Sequence, residues 1–153
     1  MHRYSERRIL PYTPAQLFAL VVNIEKYPEF LPWCRAARVL TREADSFLGE
    51  LLISFAHFSE RYTSRVTPTP PQAGREGRIE VVLVSGPFRH LNNHWRFVPQ
   101  GDGCEIQLDL DFAFKSTLLD TLMGGMFSRA CEKMVAAFTT RAEALYGGTR
   151  TVD

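Results

Sequence analysis

Long apolar runs are missing from this chain. The longest, Leu17 to Val22, is far too short to cross a bilayer. The first residues, MHRYSERR, have no apolar segment of the kind that opens a secretory signal, so no signal peptide is expected. Cysteine is scarce. Cys34, Cys104 and Cys131 are odd in number and have no CxxC spacing. That argues against a disulfide framework or a cysteine-based zinc site, and for reduced thiols in a cytosolic protein. An excess of charge is missing too. Lys and Arg total 18 and Asp and Glu 17, a net +1, so composition gives no case for a nucleic-acid or acidic partner. No G-x-S-x-G, P-loop or Ser/His/Asp spacing occurs.

What is present is core-forming material. The 153 residues suit one domain, and 45% of them are apolar. Eleven are Phe, which points to a large core or a core containing a cavity. The dominant element is the last one, Ser116 to Tyr146. Leu119, Leu122, Met123, Met126, Phe127, Ala130, Met134, Ala137, Phe138 and Leu145 recur at three- and four-residue steps. They predict one amphipathic helix with these side chains inward. Thr117 with Asp120 resembles a capping box, and Gly147-Gly148 is a stop. Such a helix is roughly 45 Å long, enough to cross a small domain.

Upstream, Tyr4, Glu6, Arg8 and Leu10 alternate as a first strand, polar on one side. Thr13, Pro14 and Gln16 then form a capped helix start. Leu17, Phe18, Leu20, Val21 and Ile24 give that helix its apolar face. A second helical turn is expected near Tyr27 to Leu31, ended by Pro32. From Cys34 the period changes to two. Six strands are expected, with a break near 56–59 and a loop at PTPPQAGREG. Gly49 is a candidate bulge. The last strand alternates most clearly: Ile106, Leu108, Leu110, Phe112 and Phe114 in, Gln107, Asp109, Asp111 and Lys115 out. Strands joined by short loops imply antiparallel pairing, hence an α+β domain with helices on one face of a twisted sheet.

Several groups invite chemistry. Asp109 and Asp111 share a strand face, but they alternate with apolar residues and read as solvated. His90 and His94 on one strand are roughly 13 Å apart, too far to share a metal. Gly124-Gly125 costs the helix roughly 2 kcal/mol relative to two alanines. It either kinks the helix or leaves room for a ligand beside Met123, Met126 and Phe127. Tyr27, Phe30, Leu31 and Trp33, held by two prolines, are either a loop packed on the core or, with Phe88, the lip of an apolar pocket.

Three motifs occur in order: YPEFLPWC, then SGPF followed by Leu91 and Trp95, then M-x-x-AF-x-x-RA-x-x-LYG. Together they resemble the coenzyme Q-binding START-domain family of the polyketide cyclase/lipid-transport superfamily, whose bacterial members are also described as ribosome-association toxins. The resemblance spans roughly Arg3 to Gly147. It implies a helix-grip (START-like) fold, an antiparallel sheet curled around a long C-terminal helix, as one domain over 1–148 with a tail at 149–153. It implies a non-enzymatic carrier or chaperone of a polyprenyl quinone (ubiquinone) or similar lipid, supporting respiratory electron transport, with no cofactor and no metal. The matched positions are Tyr27, Pro28, Phe30, Leu31, Pro32 and Trp33 at a mouth, Gly86, Pro87 and Phe88 opposite, and Met134, Ala137 and Phe138 on the helix. With Phe112, Phe114, Met123, Met126 and Phe127 they make the expected ligand site. A cytoplasmic protein working at the inner face of the membrane is implied. The alternative partner is the ribosome, with Arg3, Arg7 and Arg8 as a local basic patch. A small-molecule cyclase is the third reading, and it lacks an acid/base pair facing the cavity.

Overall fold

The computed structural model describes residues 2–55 and 58–147, without the side chains of Phe55, Met123 and Phe127. Seven strands form one antiparallel sheet: β1 (His2–Leu10), β2 (Cys34–Arg42), β3 (Phe47–Phe55), β4 (Phe58–Thr69), β5 (Gly77–Ser85), β6 (Phe88–Gln100) and β7 (Gly103–Phe114). Their spatial order is β1-β7-β6-β5-β4-β3-β2. The last six form a meander, and β1 joins the far side of β7. Between β1 and β2 the chain therefore crosses the whole sheet. It does so through α1 (Pro14–Val22) and a 3-10 turn (Ile24–Glu29). The final helix, α2 (Thr117–Tyr146), lies on the same inner face. This is the expected helix-grip arrangement.

The short elements follow their local chemistry. Thr13 Oγ1 accepts from the Gln16 N–H, and Gln16 Oε1 accepts from the Thr13 N–H, closing a reciprocal cap. Leu17, Phe18, Leu20 and Val21 bury the inner side of α1. On β7, Ile106, Leu108, Leu110, Phe112 and Phe114 are buried while Asp109 is exposed, so the expected register holds. Asp109 accepts from Ser5 across the strand pair at 2.6 Å, and Asp111 pairs with His90. His94 faces Glu80 instead, so the two histidines have separate partners. Cys34, Cys104 and Cys131 are all free and buried.

Three details differ from expectation. The cap of α2 is Ser116, whose hydroxyl accepts from Leu119 N–H; Asp120 turns back to accept from Phe114 N–H at 2.9 Å. The irregularity near Gly49 falls on the partner strand, between Val39 and Thr41. Gly49 is needed for close approach, since an added Cβ would sit 2.6 Å from Ile24 Cδ1. The largest correction concerns which side of α2 is covered. Cys131, Met134, Val135, Phe138 and Ala142 are buried, whereas Leu122, Met126 and Leu145 are exposed. The buried stripe is rotated by about a quarter turn from the expected one. Leu118, Leu122 and Met126 form a second apolar row, which pulls the apparent face outward.

Candidate functional site: an apolar cavity under the long helix

Phe138 is the hub where α2 meets the rest of the fold. Its ring meets Tyr27 at 5.4 Å, Phe30 at 5.2 Å and Trp95 at 5.4 Å between centroids, all edge to face. The proline-bounded segment is thus attached to the helix by rings. Its backbone is pinned as well: Leu31 N donates to Tyr27 O, Cys34 N to Leu31 O, and Ser54 N to Trp33 O at 2.8 Å. The last bond ties Trp33 to the end of β3.

N-terminal to Phe138, side chains of α2 and of the sheet border open space. An inner pocket of about 50 Å³ is lined by Trp33, Ile53, Tyr62, Leu91, Cys131 and Met134, among others. A second, of about 60 Å³, adjoins it through Trp33, Tyr62, Asn93 and Met134 and reaches Tyr27 and Phe138. Both are narrow in this conformation. Met134, an adaptable side chain, stands between them. A third, more open cleft of about 350 Å³ is lined by Pro32, Trp33, Ser54, Met126, Arg129, Ala130 and Lys133. Trp33 borders all three spaces.

The lining is apolar except for a few groups whose states are fixed by burial. Burial raises the phenol pKa values of Tyr27 and Tyr62 well above the ordinary range. It pushes the Cys131 thiol up to about 12. These groups are neutral near pH 7, so none of the three is poised as a base or a nucleophile there. Two further atoms matter. Trp33 Nε1 and Asn93 Oδ1 are buried, with no hydrogen-bond partner among the described residues. An indole N–H only donates, and an amide offers both roles. Such atoms are costly to bury unpaired.

The expected site residues divide into four groups. Tyr27, Trp33 and Met134 line the inner pockets. Phe30 and Leu31 support them: Phe30 is half-buried against Phe138, and Leu31 is buried beneath the loop. Phe88, Phe112 and Phe114 are corrected from lining to core. They are fully buried, Phe88 stacks on Phe114 at 4.8 Å, and Phe112 meets Phe114 edge on. Met126 is corrected from the inner pocket to the outer cleft. Met123 and Phe127 have side chains outside the described residues. Tyr62, Asn93 and Cys131 line the site without having been anticipated. For Asn93 a signal existed: an amide on the inward face of a strand, between Leu91 and Trp95.

Residues 10–139 match the family described as polyketide cyclase / dehydrase and lipid transport. Ribosome association toxin RatA of Rickettsia prowazekii is 41% identical over 94% of this chain and 97% of its own length. The mitochondrial coenzyme Q-binding protein COQ10 homolog B of Xenopus laevis is 31% identical over 94% of this chain and 59% of its own length. The solution structure of the 18 kDa protein CC1736 from Caulobacter crescentus has a TM-score of 0.76 at 38% identity, covering 96% of this chain and 99% of that one. Zhui aromatase/cyclase from Streptomyces shares the fold at a TM-score of 0.79 and 14% identity, over 93% of both chains. With the matched family spanning most of its length, this chain belongs to the polyketide cyclase/dehydrase and lipid-transport family.

Proposed function

We propose that this chain is a non-enzymatic carrier of a polyprenyl quinone or a similar lipid, held in the cavity between α2 and the sheet. The observation that carries the reading is the pair of unpartnered polar atoms, Trp33 Nε1 and Asn93 Oδ1, set in an apolar lining. A quinone ring brings oxygens that accept from the indole N–H. A quinol brings a hydroxyl that donates to the amide oxygen. The isoprenoid tail has apolar surface to bury, at roughly 25 cal/mol per Å². Tyr27, Tyr62 and Cys131 add no charge to that lining near pH 7. The name of the Xenopus relative supports the ligand class. Supporting respiratory electron transport at the membrane's inner face follows as part of the same proposal.

Titration with a short-chain ubiquinone, followed by quenching of Trp fluorescence, tests this. Saturable quenching that weakens in Trp33→Phe and Asn93→Leu is expected through Trp95 in the first variant and both indoles in the second. Quenching that rises linearly without saturation contradicts it.

The second reading is a protein that binds the ribosome and blocks subunit association. It is favoured by the name of the Rickettsia relative. The surface gives it less support. Arg8 faces inward, bridging to Glu6 at 2.7 Å and donating to Thr139, so it leaves the expected basic patch to Arg3 and Arg7. Arg38 and Arg61 share Glu50, and Arg78 and Arg96 share Glu76. Co-sedimentation with ribosomal subunits, lost in an Arg3→Glu/Arg7→Glu variant, is the result this reading expects.

A further inference from the structure

α2 carries two apolar stripes, and only one faces the sheet. Leu118, Leu122 and Met126 stand at four-residue steps on the far side and are 70%, 64% and 40% exposed. Arg129 and Lys133, both exposed, continue the row toward the C-terminus. At 100° per residue these five positions fall within about 80° of arc. The neighbouring carboxylates point elsewhere. Asp120 is turned inward to Phe114 N–H and His2, and Glu132 sits on the flank, about 60° from Arg129. The row is apolar at one end, positive at the other, and carries no acidic residue.

Its position connects it to the cavity. Met126, Arg129 and Lys133 line the outer cleft together with Trp33. Trp33 and Ala130 also line the inner pocket. The row therefore leads to the mouth.

We propose that this row is a docking surface for a membrane containing anionic phospholipid. Exposed leucines suit the boundary between headgroups and acyl chains, and basic side chains pair with lipid phosphates. RNA would engage the two cations and leave the three apolar side chains without a role. A second copy of the chain fits poorly, because three side chains fall well short of the roughly 800 Å² per partner of a stable interface. The membrane accounts for both halves of the row. The purpose of docking, loading and release of an apolar cargo, rests on the carrier reading; the surface itself does not.

Flotation of the full chain with phosphatidylcholine vesicles, with and without phosphatidylglycerol, tests the proposal. The wild type is expected to float with the anionic vesicles and to be released by salt. Each basic side chain at an anionic surface contributes roughly fivefold, so Arg129→Gln/Lys133→Gln should lower partitioning by about 25-fold. Leu118→Ser/Leu122→Ser should abolish flotation while leaving thermal unfolding and quinone titration unchanged, since neither residue lines the pockets described. Equal flotation of wild type and both variants overturns the proposal. So does a leucine-dependent dimer seen by light scattering, or leucine-dependent ribosome co-sedimentation, without vesicle binding. Flotation by a protein that fails to bind quinone upholds the surface and refutes the carrier reading alone.

Discussion

The guanidinium of Arg141 lies over the ring of Phe30, its carbon 5.2 Å from the ring centroid, while its Nη2 donates to Glu29 Oε1 at 2.7 Å. One side chain of α2 thus holds the segment that carries Trp33. Arg141→Ala removes a cation–π contact and a partly exposed ion pair. A loss of about 1 kcal/mol is expected in denaturant unfolding. Arg141→Lys keeps the charge but not the planar stacking, and should recover only part of it.

Phe114 and Trp33 are expected to behave differently. Phe114 is fully buried among Phe58, Phe88 and Phe112, so Phe114→Ala should cost about 3–5 kcal/mol. Trp33 is half-buried and borders space on both sides. Trp33→Ala should cost much less while weakening quinone retention. Unfolding as severe as that of Phe114→Ala would make the aromatic loop ordinary core.

Gly86 has φ 145°, and a methyl built there would lie 2.5 Å from Tyr62 Cβ. Gly86→Ala is expected to cost about 1–3 kcal/mol for the backbone conformation alone. It should also displace Tyr62, which lines both inner pockets. Weaker quinone binding beside an altered unfolding midpoint is the expected signature. Binding equal to wild type would show that Tyr62 does not shape the site.

Acid should loosen the start of β5, where Glu76 holds Arg78 and Arg96. Hydrogen bonds from Arg96, and then from Arg78, hold the Glu76 carboxyl down at about 2. Its folded-state value lies below the unfolded one, so its contribution is present above about pH 4.5 and is lost as pH falls toward 2. Glu76→Gln should flatten that part of the stability profile. An unchanged acid limb in urea unfolding would show that Glu76 contributes nothing there.

The strands and the cap of α1 are legible because their signals are local. Thr13, Pro14 and Gln16 define a helix start by themselves, and the alternation of β7 has one consistent register. The site was less legible because lining and core share a composition. Nothing in the pattern separates Phe88, which stacks in the core, from Tyr27, which borders a pocket. The covered face of α2 is hard to read for a different reason. A sum over hydrophobic positions assumes one apolar stripe, and Leu118, Leu122 and Met126 make a second. Tyr62 and Asn93 are visible as inward-facing, but their importance depends on where the space lies, which strand alternation does not give.

The central claim is that the cavity holds a polyprenyl quinone or similar lipid. Mass spectrometry of an organic extract of the protein, purified without detergent from cells that make ubiquinone, tests it most directly. The account predicts a quinone or an equivalent isoprenoid lipid near one per chain, reduced severalfold in Trp33→Ala. An extract with no lipid above the level of an unrelated control protein would contradict it.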